Sequence, residues 1–262
     1  MNLGYLGFGN MASALAEGLA RCCPDVKSGA VTQYAWAPHL DKLRARAAAC
    51  GATACSSADE LARRCDTVVL ACKPYQVEDA LRGPDLGGKT IVSVVSGWSF
   101  AALKALTGDG ARVQCIMPNT PVKVGKGTIL LTEENDLDAS GRERLKALLG
   151  SVAALVELPE AKISAAGAIS GCGPAFLYMA IEALGDAGVK NGLARHDAYE
   201  LAASTMVGAG AMVLDDPAAH PGALKDAVCS PGGITIRGVA ALEEAGMRSA
   251  FIRAVDATLK PR

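Results

Sequence analysis

The sequence predicts an α/β protein in which a parallel sheet with helices on both faces is followed by an all-helical domain. Short apolar runs alternate with amphipathic stretches over residues 1 to about 158, and this alternation is typical of a helix-covered parallel sheet. The runs are continuously apolar, as expected for strands that are buried on both faces. After Leu158-Pro159 the chain becomes rich in Ala and Gly with helical spacing. We therefore predict domains at 1–159 and 160–262.

Each apolar run in the first domain is assigned to one element. The predicted strands are 3–8, 31–36, 67–72, 90–96, 111–117 and 127–132, and the predicted helices are Asn10 to Cys22, 39–51, 99–107 and 138–150. In the second domain, helices are predicted at 170–192, 196–216, 232–247 and 251–260. Their many small residues permit close helix packing, and their apolar faces could be buried against a second copy. We expect an obligate homo-oligomer.

Composition limits the possible functions. The 262 residues carry 26 basic and 27 acidic side chains, so the formal net charge is −1 and no basic surface for nucleic acid is expected. Gly, Pro or charged residues interrupt every apolar stretch before the roughly 20 residues that a membrane span needs. The N-terminus lacks the features of a secretory signal, and nine cysteines without a C-x-x-C pair predict neither disulfides nor a metal site. A soluble, cytoplasmic protein is expected.

The first motif is Gly7-Phe8-Gly9-Asn10-Met11-Ala12, which follows a predicted strand and opens a helix. In a Rossmann turn the first Gly permits the bend, the second lets a pyrophosphate approach, and the third small residue allows helix and strand to pack. The helix N-terminus then faces the phosphates. The alternative is an ordinary glycine-rich turn, but the strand-turn-helix context favours a dinucleotide site.

The end of the second predicted strand bears on the choice of nicotinamide cofactor. An acid there would bind the adenosine ribose and repel a 2′-phosphate, whereas this chain has Trp36-Ala37-Pro38-His39. This favours NADPH, although NADH is possible, and His39 or Lys42 could face the phosphate. Equally, Lys42, Arg44 and Arg46 could form the solvated face of a helix. The loops 71–74 and 94–97, after the third and fourth strands, should also line the cofactor groove.

Several segments together resemble the pyrroline-5-carboxylate reductase family. They are LGFGNMASAL (6–15), ACKP (71–74), MPNTP (117–121), SGCGPAF (170–176), LEEAGMRSAFIRAV (242–255) and, most specifically, HPGALKDAVCSPGGITI (220–236). The likeness extends over essentially the whole chain. It implies reduction of 1-pyrroline-5-carboxylate to L-proline by NAD(P)H, the last step of proline biosynthesis, and a helical domain that interlocks with a second subunit, giving a homodimer or a higher oligomer built from dimers.

The resemblance also implies site residues. Residues expected to face the cofactor are Leu6, Gly7, Phe8, Gly9, Asn10, Met11, Ala37, His39, Ala71, Cys72, Lys73, Pro74, Val94, Val95, Ser96 and Gly97, with Asn119 as a further candidate. Residues expected to surround the substrate are Glu160, Cys172, Asp226, Ala227, Val228, Ser230, Gly233, Ile234 and Thr235.

The chain departs from the family pattern at four positions. Cys115 stands where an Arg is familiar, and Cys172 replaces a hydroxyl near the expected site. Ala58 and Ala37 stand where the family often carries polar side chains near the adenosine ribose. These departures affect cofactor preference and affinity more than the reaction class.

The turn from Ser230 to Thr235 is suited to an anion because glycines allow close approach and the following helix presents free N–H groups. Thr235, our catalytic candidate, could direct its hydroxyl to the substrate carboxylate or the ring nitrogen; alternatively, Ser230 and Thr235 only cap a helix. Glu160 could favour the iminium cation or hold a water, or it could be a helix N-terminal acid. Asn119 could seat the nicotinamide amide or the imine, or belong to a turn that Pro118 and Pro121 shape.

Two other functions compete with this one. A hydroxyacid dehydrogenase of the Rossmann-plus-helices type would use a Lys on the first helix after the domain junction, but the segment 165–172 contains none. A protein that senses a dinucleotide would bind the cofactor without oxidising it.

Overall fold

Eight strands form a single sheet in the first of two compact units, Met1–Gly171, and the computed structural model describes residues 1–260 of the chain. The strand order is β3-β2-β1-β4-β5-β6-β7-β8. The strands are β1 (Asn2–Leu6), β2 (Thr32–Trp36), β3 (Thr53–Ala54), β4 (Thr67–Leu70), β5 (Thr90–Ser93), β6 (Arg112–Pro118), β7 (Gly127–Asn135) and β8 (Ala153–Leu158).

Helices connect the strands and make up the second unit, which begins at Cys172. The first unit contains α1 (Asn10–Cys22), α2 (Pro24–Lys27), α3 (Leu40–Ala49), α4 (Ala58–Arg64), α5 (Val77–Arg82), α6 (Phe100–Thr107), α7 (Ala139–Gly150) and α8 (Glu160–Ser170). The second contains α9 (Gly173–Lys190), α10 (Arg195–Asp215), α11 (Pro221–Ala227), α12 (Ile234–Glu244) and α13 (Met247–Leu259). Short 3₁₀ turns cover Pro74–Gln76, Gly108–Gly110 and Thr120–Val124.

The sheet is parallel except at one point. Strands β1 to β6 run in one direction, whereas β7 pairs antiparallel with β6, and β8 runs parallel to β7. The connection between β6 and β7 contains only residues 119–126. A parallel crossover needs about a dozen residues or more, so the chain must reverse here. The predicted parallel sheet is therefore confirmed for β1 to β6, whereas the predicted strand at 127–132, β7, runs antiparallel to β6. Strand β8 was not predicted.

A buried polar network joins the first helix to the sheet. The Tyr5 hydroxyl donates a 2.6 Å hydrogen bond to Gln33 Oε1, and Gln33 Nε2 donates to the carbonyl oxygen of Ala16 at 3.1 Å. Burial is the main reason that the pKa of Tyr5 lies well above its ordinary value of 10. The network therefore aligns α1 with β1 and β2.

Helix α8 belongs to the sheet-containing unit. It packs against β7, and the division of the chain falls after Gly171 rather than after residue 159. Two hydrogen bonds fix it: Glu160 Oε1 accepts from the Phe100 N–H, and the Ser170 carbonyl oxygen accepts from Asn119 Nδ2. The composition change after Pro159 therefore precedes the structural boundary by one helix.

In the second unit, α9 and α10 pack closely through small residues. A Cβ on Gly185 would lie 2.4 Å from the Tyr199 ring, and one on Gly188 would lie 2.8 Å from Ala198 Cβ. Arg195 pairs with Asp186 across the same interface. The glycines of α9 therefore permit the close helix approach that the sequence suggested.

Most of the second unit is exposed within a single chain. Among residues 172–260 only Gly185, Ala198 and Ala202 are buried, while apolar side chains such as Met179 and Leu214 are 69 % and 80 % exposed. The stretch Glu160–Lys190 is long and apolar enough to cross a membrane by length and composition alone, although a turn at 171–172 divides it into α8 and α9. Contact with an apolar surface of another chain would bury the same helix faces.

Candidate functional site

A groove of about 890 Å³ opens at the carboxyl ends of β1, β2, β4 and β5. Ligands bind at this edge in parallel α/β sheets. Most of the predicted cofactor residues line it: Leu6, Gly7, Phe8, Gly9, Asn10, Met11, Ala37, Ala71, Cys72, Lys73, Pro74, Val94, Val95 and Ser96. Ala58, which the resemblance places near the adenosine ribose, lines it too. Further lining residues were not predicted: Trp36, Pro38, Gln76, Asp79, Ala80, Gly83 and Pro84.

Gly7 is required by the backbone at the base of the groove. Its φ is +93°, a conformation that side chains with a Cβ rarely adopt. A Cβ here would lie 2.7 Å from the Ala71 carbonyl carbon and the Cys72 nitrogen, because the end of β4 crosses directly beside the turn. Both constraints exclude any other residue from this position.

Gly9 serves a different purpose from Gly7. A Cβ on Gly9 would meet no atom within 4 Å, so the residue faces open space in the groove. The first turn of α1 contains no acidic residue, and no side chain caps its N-terminus. Free backbone N–H groups and the positive end of the helix dipole therefore face this space, as anion binding requires. These features fit a dinucleotide pyrophosphate.

The end of β2 carries no acid beside the groove. Ala37 and Pro38 line it, while His39 precedes α3 as an exposed residue and is not among the lining residues. The acidic residue that does line the groove, Asp79, comes from α5 instead. A ribose at the end of β2 would therefore meet no carboxylate from that strand.

The loops after β4 and β5 are joined along the groove. Trp98 Nε1 donates a 3.0 Å hydrogen bond to the Pro74 carbonyl oxygen. Burial raises the pKa of the Cys72 thiol, so Cys72 is an uncharged lining residue at neutral pH. Gly97, with φ +84°, shapes the second loop but does not line the groove.

Asn119 lies outside the groove, and its amide is used within the fold. Its Nδ2 donates to the Ser170 carbonyl oxygen at 2.9 Å, and its Oδ1 accepts from the Thr128 N–H at 2.8 Å. The residue is 7 % exposed. In this structure Asn119 fastens β7 and α8 to the end of β6, which corrects the expectation that it lines the cofactor groove.

Glu160 is likewise engaged within the first unit. Its carboxylate accepts a hydrogen bond from the Phe100 N–H at 2.7 Å, and its own N–H donates to Glu134 Oε2 at 2.8 Å. Phe100 is the first residue of α6, where an acid stabilises free N–H groups. Glu160 also stands in the first turn of its own helix, α8, as the helix N-terminal alternative stated, whereas its bond to the start of α6 was not predicted.

The Ser230–Thr235 turn has the geometry of an anion-binding turn. Gly232 has φ +69°, a conformation that favours glycine, and a Cβ on Gly233 would lie 2.4 Å from Ser230 Oγ, so the Ser230 side chain would have to move. No side chain caps α12, and its first turn contains no acid. Within residues 1–260 neither the Ser230 nor the Thr235 hydroxyl has a hydrogen-bond partner. A capping role is therefore not observed for either residue.

The remaining predicted substrate residues lie on three segments of the second unit. Asp226, Ala227 and Val228 are exposed at the end of α11, and Asp226 pairs with Lys225. Ile234 is 80 % exposed at the start of α12. Cys172 directly precedes α9 and is half-buried.

The first unit has a glycine-rich bend after β1, a groove at the carboxyl edge of its sheet and a helix N-terminus without an acidic residue. Together these features define a dinucleotide-binding oxidoreductase of the Rossmann class. Residues 2–97 match the family model described as NADP oxidoreductase coenzyme F420-dependent, and residues 160–261 match the pyrroline-5-carboxylate reductase dimerisation model. The chain belongs to the pyrroline-5-carboxylate reductase family.

Relatives support this membership over the full length of the chain. The chain is 43 % identical to the pyrroline-5-carboxylate reductase of Treponema pallidum, with 99 % of each chain covered. It is 33 % identical to that of Escherichia coli, covering 97 % of this chain and 94 % of the other. It also resembles the crystal structure of Plasmodium falciparum pyrroline carboxylate reductase with NADP bound, with TM-score 0.83, 31 % identity and coverage of 98 % and 95 %.

Proposed function

We propose that this chain reduces the C=N bond of 1-pyrroline-5-carboxylate with NADPH and releases L-proline. The observation that carries the proposal is the glycine-built groove at the carboxyl edge of the sheet, in a chain that is related over its full length to pyrroline-5-carboxylate reductases. The absence of an acid at the end of β2 supports NADPH over NADH. NADH would serve as the second cofactor.

The N-terminal unit would bind and orient the dinucleotide. Gly9 and the α1 N-terminus provide space and N–H donors for the pyrophosphate, while Ala37 leaves room for a 2′-phosphate. Lys73 and Ser96, from the loops after β4 and β5, complete the wall of the groove. The bound cofactor supplies hydride from the nicotinamide ring.

The turn at Ser230–Thr235 would bind the substrate carboxylate. Its glycines let an anion approach the backbone, and its uncapped helix N-terminus supplies N–H donors. The Thr235 hydroxyl, without an internal partner, would donate to the carboxylate or hold a proton at the ring nitrogen. Since a protonated imine is already electrophilic, positioning the two rings in a water-poor site supplies most of the catalysis.

The second unit supports a homodimer as the functional assembly. Its exposed apolar side chains lie in the region that matches the dimerisation model. Burying them against a second copy would remove a large apolar area from water. We expect a dimer, or a higher oligomer built from dimers, that acts in the cytosol without a membrane or nucleic-acid partner.

A steady-state assay tests the proposal directly. Purified protein is mixed with 1-pyrroline-5-carboxylate and either NADPH or NADH, and loss of the reduced-nicotinamide absorbance is followed together with proline formation. Turnover with a higher kcat/KM for NADPH is expected. Cofactor binding without oxidation by this substrate or by several related cyclic imines would instead identify a dinucleotide sensor.

A single substitution tests the substrate turn. Thr235→Ala should raise KM for the imine or slow hydride transfer while Kd for NADPH stays nearly unchanged. Thr258→Ala is a matched control, because among residues 1–260 the Thr258 hydroxyl bonds only the Val255 carbonyl oxygen on α13. An equal loss of NADPH affinity in Thr235→Ala would count against the placement of the substrate at this turn.

A further inference from the structure

An arginine on α3 contacts both sides of the glycine-rich turn. Arg46 Nη2 donates a 2.9 Å hydrogen bond to Asn10 Oδ1, and Arg46 Nη1 donates a longer one, 3.4 Å, to the Phe8 carbonyl oxygen. Phe8 and Asn10 flank Gly9, and all three line the cofactor groove. Arg46 itself does not line it.

The fold explains how Arg46 reaches this turn. Helix α3 begins at Leu40, soon after β2, so it starts near the carboxyl edge of the sheet and runs away from it. Side chains on a helix lean toward its N-terminus. The long Arg46 side chain therefore extends back toward the edge, where the turn after β1 lies.

The contact requires the planar fork of a guanidinium. Two different nitrogens of Arg46 reach two different acceptors, one on the backbone and one on a side chain. An ammonium is a single point on a flexible stem and would be less suited to hold both at once. In the described part of the chain Arg46 pairs with no carboxylate, so its charge is not neutralised by an internal ion pair.

We propose that Arg46 is a positioning residue for the cofactor: it holds the Phe8–Asn10 segment in the conformation that receives the dinucleotide pyrophosphate. The Ser13 hydroxyl also restrains the turn, since it donates to the Gly9 carbonyl oxygen at 2.7 Å and to the Asn10 carbonyl oxygen at 3.2 Å, but it lies within α1 and does not reach Phe8. The inference rests on dinucleotide binding in the proposed function but not on the reaction. Both nicotinamide cofactors carry the same pyrophosphate, so both should depend on Arg46.

Direct binding measurements test this role. Kd for NADPH and for NADH is measured by fluorescence titration for wild type, Arg46→Met and Arg46→Lys, with Arg44→Met as the control. Arg44 is an exposed cation on the same helix and makes no hydrogen bond within residues 1–260. The melting temperature without cofactor is recorded for every variant, since Arg46 is exposed and its loss should leave the fold intact.

We expect Arg46→Met to weaken NADPH and NADH binding by similar factors, about tenfold, because the turn without its charge-assisted hydrogen bond would be less often in the conformation that binds the pyrophosphate. Arg46→Lys should fall between wild type and Arg46→Met, and Arg44→Met should match wild type. In steady state, KM for the cofactor should rise while KM for the imine and kcat change little.

A double substitution links the effect to the turn. In an Asn10→Ala background, Arg46→Met should weaken binding by less than about threefold, because the stronger of its two contacts is already gone. Unchanged affinity in Arg46→Met, full retention in Arg46→Lys, or loss confined to NADPH would each overturn the proposal. The last result would make Arg46 a ligand of the 2′-phosphate instead.

Discussion

The carboxylate of Glu160 accepts a 2.7 Å hydrogen bond from the backbone N–H of Phe100, 60 positions earlier in the chain. Phe100 begins α6, and its N–H is one of the groups that a helix cannot satisfy internally. Glu160 is itself the first residue of α8. One side chain therefore fixes the starts of two helices relative to each other.

Glu160→Ala should destabilise the protein because α6 loses this acceptor. The expected decrease in the free energy of unfolding is about 0.5–2 kcal/mol, the usual range for loss of a helix N-terminal acceptor. Glu160→Gln, which retains an oxygen acceptor, should lose less. Urea denaturation measures both, with the exposed Glu143→Ala as control. Unchanged stability combined with a raised KM for the imine would indicate instead that Glu160 contacts the substrate.

Gly7 and Gly9 should respond differently to the same substitution. Gly7→Ala introduces a Cβ at φ +93° and 2.7 Å from the β4–loop backbone, so the melting temperature without cofactor should fall sharply. Gly9→Ala places its Cβ in open space and should leave that temperature unchanged. It should nevertheless weaken NADPH binding, because the methyl group occupies the space for the pyrophosphate. Calorimetry measures the melting temperature of both variants. Loss of stability in both would contradict the different roles assigned to Gly7 and Gly9.

Ala37→Asp should shift the cofactor preference toward NADH. A carboxylate at the end of β2 can bind the adenosine ribose hydroxyls and repels a 2′-phosphate. The ratio of kcat/KM for NADPH to that for NADH should fall by about tenfold or more. Ala45→Asp adds the same charge at an exposed position of α3 and should not shift the ratio. An unchanged ratio in Ala37→Asp would mean that the ribose lies elsewhere.

Six of the eight strands could be predicted because most of them are apolar runs, whereas β3 and β8 were not predicted. The predicted helix from Asn10 to Cys22 coincides with α1. Helices α4, α5 and α11 have seven residues or fewer, too short for helical periodicity to be visible. The reversal at β7 could be recognised only from the length of its connection, which periodicity does not measure.

The position of the groove could be predicted because the loops that follow parallel strands lie together at one edge of the sheet. Asp79 on α5 and Gln76 in the 3₁₀ turn before it were not predicted, because tertiary packing rather than a motif brings them to the groove. The internal bonds of Asn119 and Glu160 join residues 51 and 60 positions apart. No local pattern reveals such pairs.

Acid should weaken the contribution of Glu60 to stability. Hydrogen bonds from the Ser56 hydroxyl and N–H, and then from Arg64, lower the pKa of Glu60 from 4.5 to about 2. A carboxyl with a lowered folded-state pKa stabilises the fold fully above the unfolded value and loses that effect as pH falls toward the folded one.

Glu60→Gln should therefore melt below wild type at pH 7, and the difference should shrink as pH is lowered from about 4.5 toward 2. Melting temperatures between pH 7 and pH 3 measure this, with Glu143→Gln as a control that should show no such narrowing. A difference that is constant with pH would show that the Glu60 charge does not contribute.

The attachment of α8 determines where the chain can be cut. A fragment ending at residue 159 would leave the α6 N–H of Phe100 without its carboxylate and the Asn119 amide without the Ser170 carbonyl oxygen. A fragment ending at Gly171 keeps both. The dinucleotide-binding unit should therefore be expressed alone as residues 1–171, because that fragment preserves both hydrogen bonds.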